Sequence, residues 1–275
     1  MPRARIITTM MTMIMTIATA EAALDDAGLY RLLAWLSPGF PIGSFSYSHG
    51  LEAAAENGIV RDRDSLQGWI GAVVAQGSGR IDADILCCAH RAAAAGDLEA
   101  LCAVNRRGLA YRATAELANE TTAQGAAFLA ACRAAWPDEL IARWAVASLD
   151  RPHPDPPPPA REGSEGAAAL QSRMGEGACY PAAVGAAVAR ARIAMRSALV
   201  AYLQAMAANL MSAGLRLGIV GQTDGQRILA ALEPAVLQAA GAAIARGPAG
   251  FGAATFAADL ASMAHETQYT RLFRS

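Results

Sequence analysis

Four histidines, five cysteines and a serine-rich turn are the groups of this 275-residue chain that could take part in a reaction. The histidines are His49, His90, His153 and His265, and no two fall at the HxxxH or HExxH spacing that sets a pair of imidazoles on one helix face. A zinc or nickel site within one chain is therefore not expected, and only a site shared across a dimer would escape that spacing rule. The cysteines are Cys87, Cys88, Cys102, Cys132 and Cys179, with no CxxC among them. They read as reduced, buried thiols of a cytoplasmic protein. Ser44, Ser46 and Ser48 belong to no GxSxG elbow and have no adjacent base, so helix capping fits them better than nucleophilic attack. Gly39–Ser44 has the glycines of a phosphate loop without its lysine. No catalytic residue, metal ligand or tightly bound cofactor is assigned, and the chain reads as a non-enzyme.

Recognition is the chemistry that remains. Trp35–Glu52 carries Pro38, Pro41, Gly39 and Gly43 among aromatic and serine side chains. The prolines fix φ and disfavour the helical region at Ser37 and Phe40, so a helix must end there. A loop so shaped is a recognition surface more than a connector, with Ser44, Phe45, Ser46, Tyr47, His49 and Glu52 as its contact residues. A second cluster closes the sequence, where Tyr269, Arg271, Leu272, Phe273 and Arg274 combine aromatic area with arginine forks. Such a tail should dock on its own protein or on a partner. Gly221–Gln226, with Gln222 and Thr223, reads as either an inter-helix turn or a docking corner. Glu120–Gly125 places polar groups and a glycine inside a helix, which points to a close helix approach or a polar cleft.

The elements that position these residues are helices. Hydrophobic residues make up 54% of the chain, charged ones only 17%, and alanine supplies most of the excess. Helices are expected over Leu24–Leu36, with Leu29, Leu32, Leu33 and Leu36 as the apolar stripe, and from the serines at 44–48 to Asn57. The next, capped by Asp62 or Asp64, buries Leu66, Trp69, Ile70, Val73 and Val74. Others cover Asp82–Ala95, Leu98–Tyr111, Thr114–Ala135 and Glu139–Ser148. One or two span Val184–Leu217, another is capped by Thr223 or Asp224, a further one starts at Pro234, and the last is Thr255–His265. No strand alternation and no repeat period appears, so the fold class is all-α: one bundle of roughly nine to eleven helices over 24–275. Residues 150–177 form a Pro/Gly-rich flexible insertion, and 1–23 a disordered N-terminal extension whose Ala18-Thr19-Ala20 superficially resembles a signal cleavage site. Every later apolar run is cut by charge or helix breakers, so no membrane span is expected. The net charge of −1 and the absence of a basic patch argue against nucleic acid.

Three spaced motifs carry a resemblance: Gly43-Ser44-Phe45-Ser46-Tyr47-Ser48-His49-Gly50-Leu51-Glu52, the Gly221–Gln226 turn, and Thr267-Gln268-Tyr269-Thr270-Arg271-Leu272-Phe273. In this order they resemble the urease accessory protein UreF family, over about 29–148 and 178–275. Asn119–Gly125 and Tyr180-Pro181 with Gly185 fit the same pattern. The resemblance implies an all-helical homodimer without activity on urea, acting as a nickel-insertion chaperone. Its implied partners are UreD (also called UreH), the GTPase UreG and apo-urease, with nickel handled by the complex. It further implies that Arg271 helps recruit UreG and that Ser44–Glu52 lies near partner surfaces. The alternative it leaves open is a GTPase-activating regulator of UreG acting through an arginine.

Overall fold

Short acidic and hydroxyl side chains decide where many of the helices begin. Asp25 accepts the Gly28 N–H at 2.7 Å, Asp62 forms a reciprocal box with Ser65, and Asp97 and Thr114 cap the helices that follow them. The computed structural model describes residues 24–149, 177–247 and 250–275, so the expected N-terminal extension and nearly all of the proline-rich insertion lie outside the described residues. In chain order, α1 is Asp26–Trp35, α2 Leu51–Glu56, α3 Arg63–Gln76, α4 Ser78–Ala94, α5 Leu98–Ala110 and α6 Ala115–Ala135. Then come α7 Glu139–Leu149, α8 Tyr180–Arg190, α9 Met195–Arg216, α10 Gln222–Arg246 and α11 Phe256–His265. A 3-10 turn at Ser44–Ser46 lies between α1 and α2, and there is no strand among the described residues.

α4 and α8 form the centre, and small residues let them approach closely. A Cβ on Gly185 of α8 would stand 2.6 Å from the Leu86 carbonyl oxygen of α4, and nearly every residue of α8 is buried. α5, α6, α9 and α10 pack around this pair, with α3 against α9 and α10 and α11 against α2. Trp144 and Phe128 are the largest fully buried side chains. The proline loop is pinned to this core by Phe40, whose ring is 5.3 Å from Phe128, while Trp35 meets Phe128 and Trp136 edge-on at 6.2 and 5.6 Å.

Several local expectations are corrected. The buried stripe of α1 is Gly28, Leu32 and Trp35, leaving Leu29 and Leu33 exposed. The N-cap position of α2 is Gly50 at φ +75°, and the expected serine acts from two residues ahead: the Ser48 hydroxyl accepts the Glu52 N–H of the first turn at 3.4 Å while donating to the C-terminal segment. α4 begins at Ser78, directly after α3, because Gly77 and Gly79 allow a turn so tight that a Cβ on Gly79 would meet the Val74 backbone at 2.8 Å. α10 starts at Gln222 with Gly221 as N-cap, so Thr223 and Asp224 belong to its first turn, where Asp224 complements the helix dipole. Pro234 starts no new helix but lies within α10, its cost of about 3 kcal/mol offset by packing on α3, α4 and α9. α9 and α10 are also long and apolar enough to cross a membrane by length and composition, contrary to the expectation that every run is interrupted. Half of the relevant window of α9 is buried inside the bundle.

Candidate docking site built on the C-terminal segment

The proline loop and the C-terminal segment, distant in sequence, meet in one structure. Glu52 lies on the buried face of α2, because Leu51 and Ala54 anchor that short helix in the core. Its carboxylate accepts the backbone N–H of Leu272 at 2.6 Å and of Phe273 at 2.9 Å, and His265 Nε2 lies 3.0 Å away. The other ring nitrogen of His265, Nδ1, is 2.8 Å from Glu116 Oε2, and Arg271 Nη1 donates to Glu116 Oε1 at 2.8 Å. Both carboxylates therefore serve to hold the tail.

Backbone bonds extend the seam. The Arg274 N–H donates to the Ser46 carbonyl at 2.7 Å, and the Ser48 N–H donates to the Ser275 carbonyl at 2.7 Å. The Ser48 hydroxyl donates to the same carbonyl, and the Ser275 hydroxyl to Glu120 at 3.2 Å. Phe273 is buried, and the Arg216 guanidinium of α9 covers its ring at 4.1 Å. Gly50 is required where α11 crosses α2, since a Cβ there would sit 2.6 Å from the Ser262 nitrogen.

Beneath the seam, Glu120 of α6 gathers His49 Nε2 at 3.0 Å and the Gln124 amide at 2.8 Å, while His49 Nδ1 lies 3.2 Å from the Ser78 hydroxyl. Burial pulls the His49 pKa down, but the Glu120 carboxylate outweighs it and the pKa stands above its ordinary value. Arg112 and Asp82 pair at 2.7 Å nearby, and the Tyr202 hydroxyl donates to Asp82 at 2.8 Å. His49, Asp82, Glu120, Gln124 and Tyr202 line a cleft of about 290 Å³, rimmed by Pro38 and Phe45. Glu120–Gly125 satisfies both readings of its sequence: Glu120 and Gln124 face the cleft, and a Cβ on Gly125 would overlap the Ala178 carbonyl at 1.8 Å.

The residues singled out from sequence divide by exposure. Phe45, Tyr269, Arg271, Leu272 and Arg274 are exposed, and Tyr269 is wholly so. Tyr47, Glu52 and Phe273 are buried, while Ser44, Ser46 and His49 are half-buried. Of the inner residues, Glu52 and the Ser46 carbonyl hold the C-terminal segment and Phe273 anchors it. Gln222 and Thr223 are exposed in the first turn of α10, where Asp224 pairs with Arg227 at 2.9 Å and is within electrostatic reach of Arg63 of α3. Glu120, read in sequence only as a polar group inside a helix, completes the site together with Glu116, Ser48, Arg216 and His265, which carried no signal of this role. Among the described residues no three or more His, Cys, Asp and Glu side chains cluster as metal ligands.

A family model described as UreF matches residues 60–233. The chain is 46% identical over 254 residues to the urease accessory protein UreF of Rhodopseudomonas palustris (strain HaA2), covering 92% of this chain and 96% of that protein. It is 45% identical over 256 residues to the urease accessory protein UreF of Azorhizobium caulinodans, covering 93% and 99%. With its namesake in Granulibacter bethesdensis the identity is 42% over 250 residues, covering 91% and 95%.

Proposed function

The chain belongs to the UreF family of urease accessory proteins, and on that premise we propose that it is a non-enzymatic scaffold which docks UreD (UreH), recruits the GTPase UreG and so serves nickel insertion into apo-urease. Nickel is cargo of that assembly and not a resident cofactor of this chain. The observation that carries the reading is the C-terminal segment: Glu52 holds its backbone and Glu116 the Arg271 guanidinium, while Tyr269, Arg271, Leu272 and Arg274 are exposed. Aromatic and arginine side chains on a rigid base have the composition and preorganisation of an interface hot spot. We assign Ser44, Phe45, Gln222 and Thr223 to outer contacts of the same assembly, with the protein acting as a homodimer in the cytoplasm.

The test is co-purification of the full chain with UreD- and UreG-type proteins, for the wild type and for Arg271→Ala. The scaffold reading expects the variant to lose UreG while keeping its fold. If the complex stays intact and only GTP turnover by UreG falls, Arg271 acts instead as a charge-stabilising arginine supplied in trans. Normal retention of both partners and normal urease activation would overturn both readings.

A further inference from the structure

Glu116 of α6 serves two contacts at once. Its Oε2 lies 2.8 Å from Nδ1 of the fully buried His265, and its Oε1 accepts from Arg271 Nη1 at 2.8 Å. The carboxylate is thus fixed from behind by a buried ring, and it fixes in turn one arm of a half-exposed guanidinium. A guanidinium carries five N–H groups in a rigid fork. Among the described residues only Nη1 of Arg271 is engaged, so the Nε–Nη2 edge, which matches the two oxygens of one carboxylate, is left open. We propose that Glu116 is a positioning residue of the docking segment: it presets Arg271 so that the open edge takes both oxygens of a surface carboxylate on the GTPase partner. This rests on the docking function proposed above and names the chemistry of its central contact.

Charge and reach both favour a protein carboxylate. From Thr267 to Ser275 the segment carries Arg271 and Arg274 and no acidic residue, and Arg216 of α9 lies exposed beside it, over Phe273. The nearby acids are already committed. Glu52 accepts the Leu272 and Phe273 N–H groups, and Glu266 is turned to the Ala115 N–H at 2.9 Å. The exposed surface of the segment is therefore positive and fits an acidic patch. Arg271 is also tied at two points, its backbone through the hold of Glu52 on the next two residues and its guanidinium through Glu116. Extending it into a nucleotide site inside a partner would break one of these ties, whereas a carboxylate on the partner's surface is met without any movement. Tyr269, wholly exposed, and Leu272 flank the guanidinium and supply the area that excludes water from such a pair.

Equilibrium titration of the UreG-type GTPase onto the full chain in complex with its UreD-type partner tests this, as a double-mutant cycle. Arg271→Lys keeps the charge but not the fork, and it is expected to weaken binding about tenfold or more. Glu116→Gln is expected to weaken binding about tenfold in the wild-type chain, yet less than about twofold in Arg271→Ala, because it acts only through that side chain. A merely structural Glu116 would cost the same in both backgrounds, and that result overturns the proposal. Wild-type affinity in Arg271→Lys overturns it as well, and slowed GTP turnover alongside that affinity would place the guanidinium on a nucleotide phosphate. Hydrogen-exchange protection of the Leu272 and Phe273 amides in each free variant reports that the segment is still docked. Arg271→Lys, a change at an exposed side chain, decides the question if Glu116→Gln does not fold. Absence of binding by the wild type is failure of the scaffold reading itself, and full binding by these variants is failure of the positioning role alone.

Discussion

At the scale of single residues, Glu52 does the most. It accepts two consecutive backbone N–H groups and faces the His265 ring, so Glu52→Ala would strand three buried polar groups together. The expected loss is about 3–5 kcal/mol of stability, read from urea unfolding. Arg271→Ala removes a half-exposed ion pair and should cost under about 1 kcal/mol, so lost partner binding in that variant reports function and not folding. His49 adds a pH dependence. Because Glu120 raises its folded pKa, the pair stabilises fully below the unfolded value of about 6.5, and that contribution disappears as pH climbs through the raised value. His49→Gln should therefore lower the urea midpoint more at about pH 6 than at about pH 9. Half of the site was legible in sequence at this scale. Ser44–Glu52 and Tyr269–Arg274 stood out because their residue types are costly to place in a loop or a tail without a purpose. Glu120 stood out only as a polar group inside a helix, and Glu116 and His265 did not: both lie in ordinary helical sequence and take their role from each other at a separation of 149.

At the scale of elements, glycines mark where backbones touch. Gly125→Ala would force a methyl into the Ala178 carbonyl, and the expected cost is about 3 kcal/mol or more, seen as a lowered thermal midpoint. Gly58→Ala is the matched comparison. Its Cβ enters open space and only the left-handed φ of +70° opposes it, so the cost should be about 1 kcal/mol. The α3 face of Leu66, Trp69, Ile70, Val73 and Val74 was readable in full, because a clean helical period with an aspartate cap has no rival reading. Pro234 misled because a local preference of about 3 kcal/mol yields when packing on α3, α4 and α9 supplies more.

At the scale of the whole molecule, alanine-rich helices exclude water well enough to silence the thiols. Burial pushes the Cys87 and Cys132 thiols up to about 12 and raises Cys179 as well, although Arg112 lies beside the latter. In the native protein these three should resist alkylation at about pH 8 and react fully in denaturant, with peptide mass spectrometry as the measure. The all-α class was legible because composition alone sets it, whereas the order of packing around α4 and α8 was not, since many helices present similar alanine faces.

The seam between Ser48 and Ser275 joins residues 227 positions apart. Closing so long a loop gains its contacts only after the intervening helices have spent their entropy, so the seam belongs late on the folding route. Substitutions at Leu272 or Phe273 should accordingly leave the refolding rate nearly untouched and steepen the rate of unfolding. The C-terminal segment is then the last part of the molecule to assemble and the first to come apart.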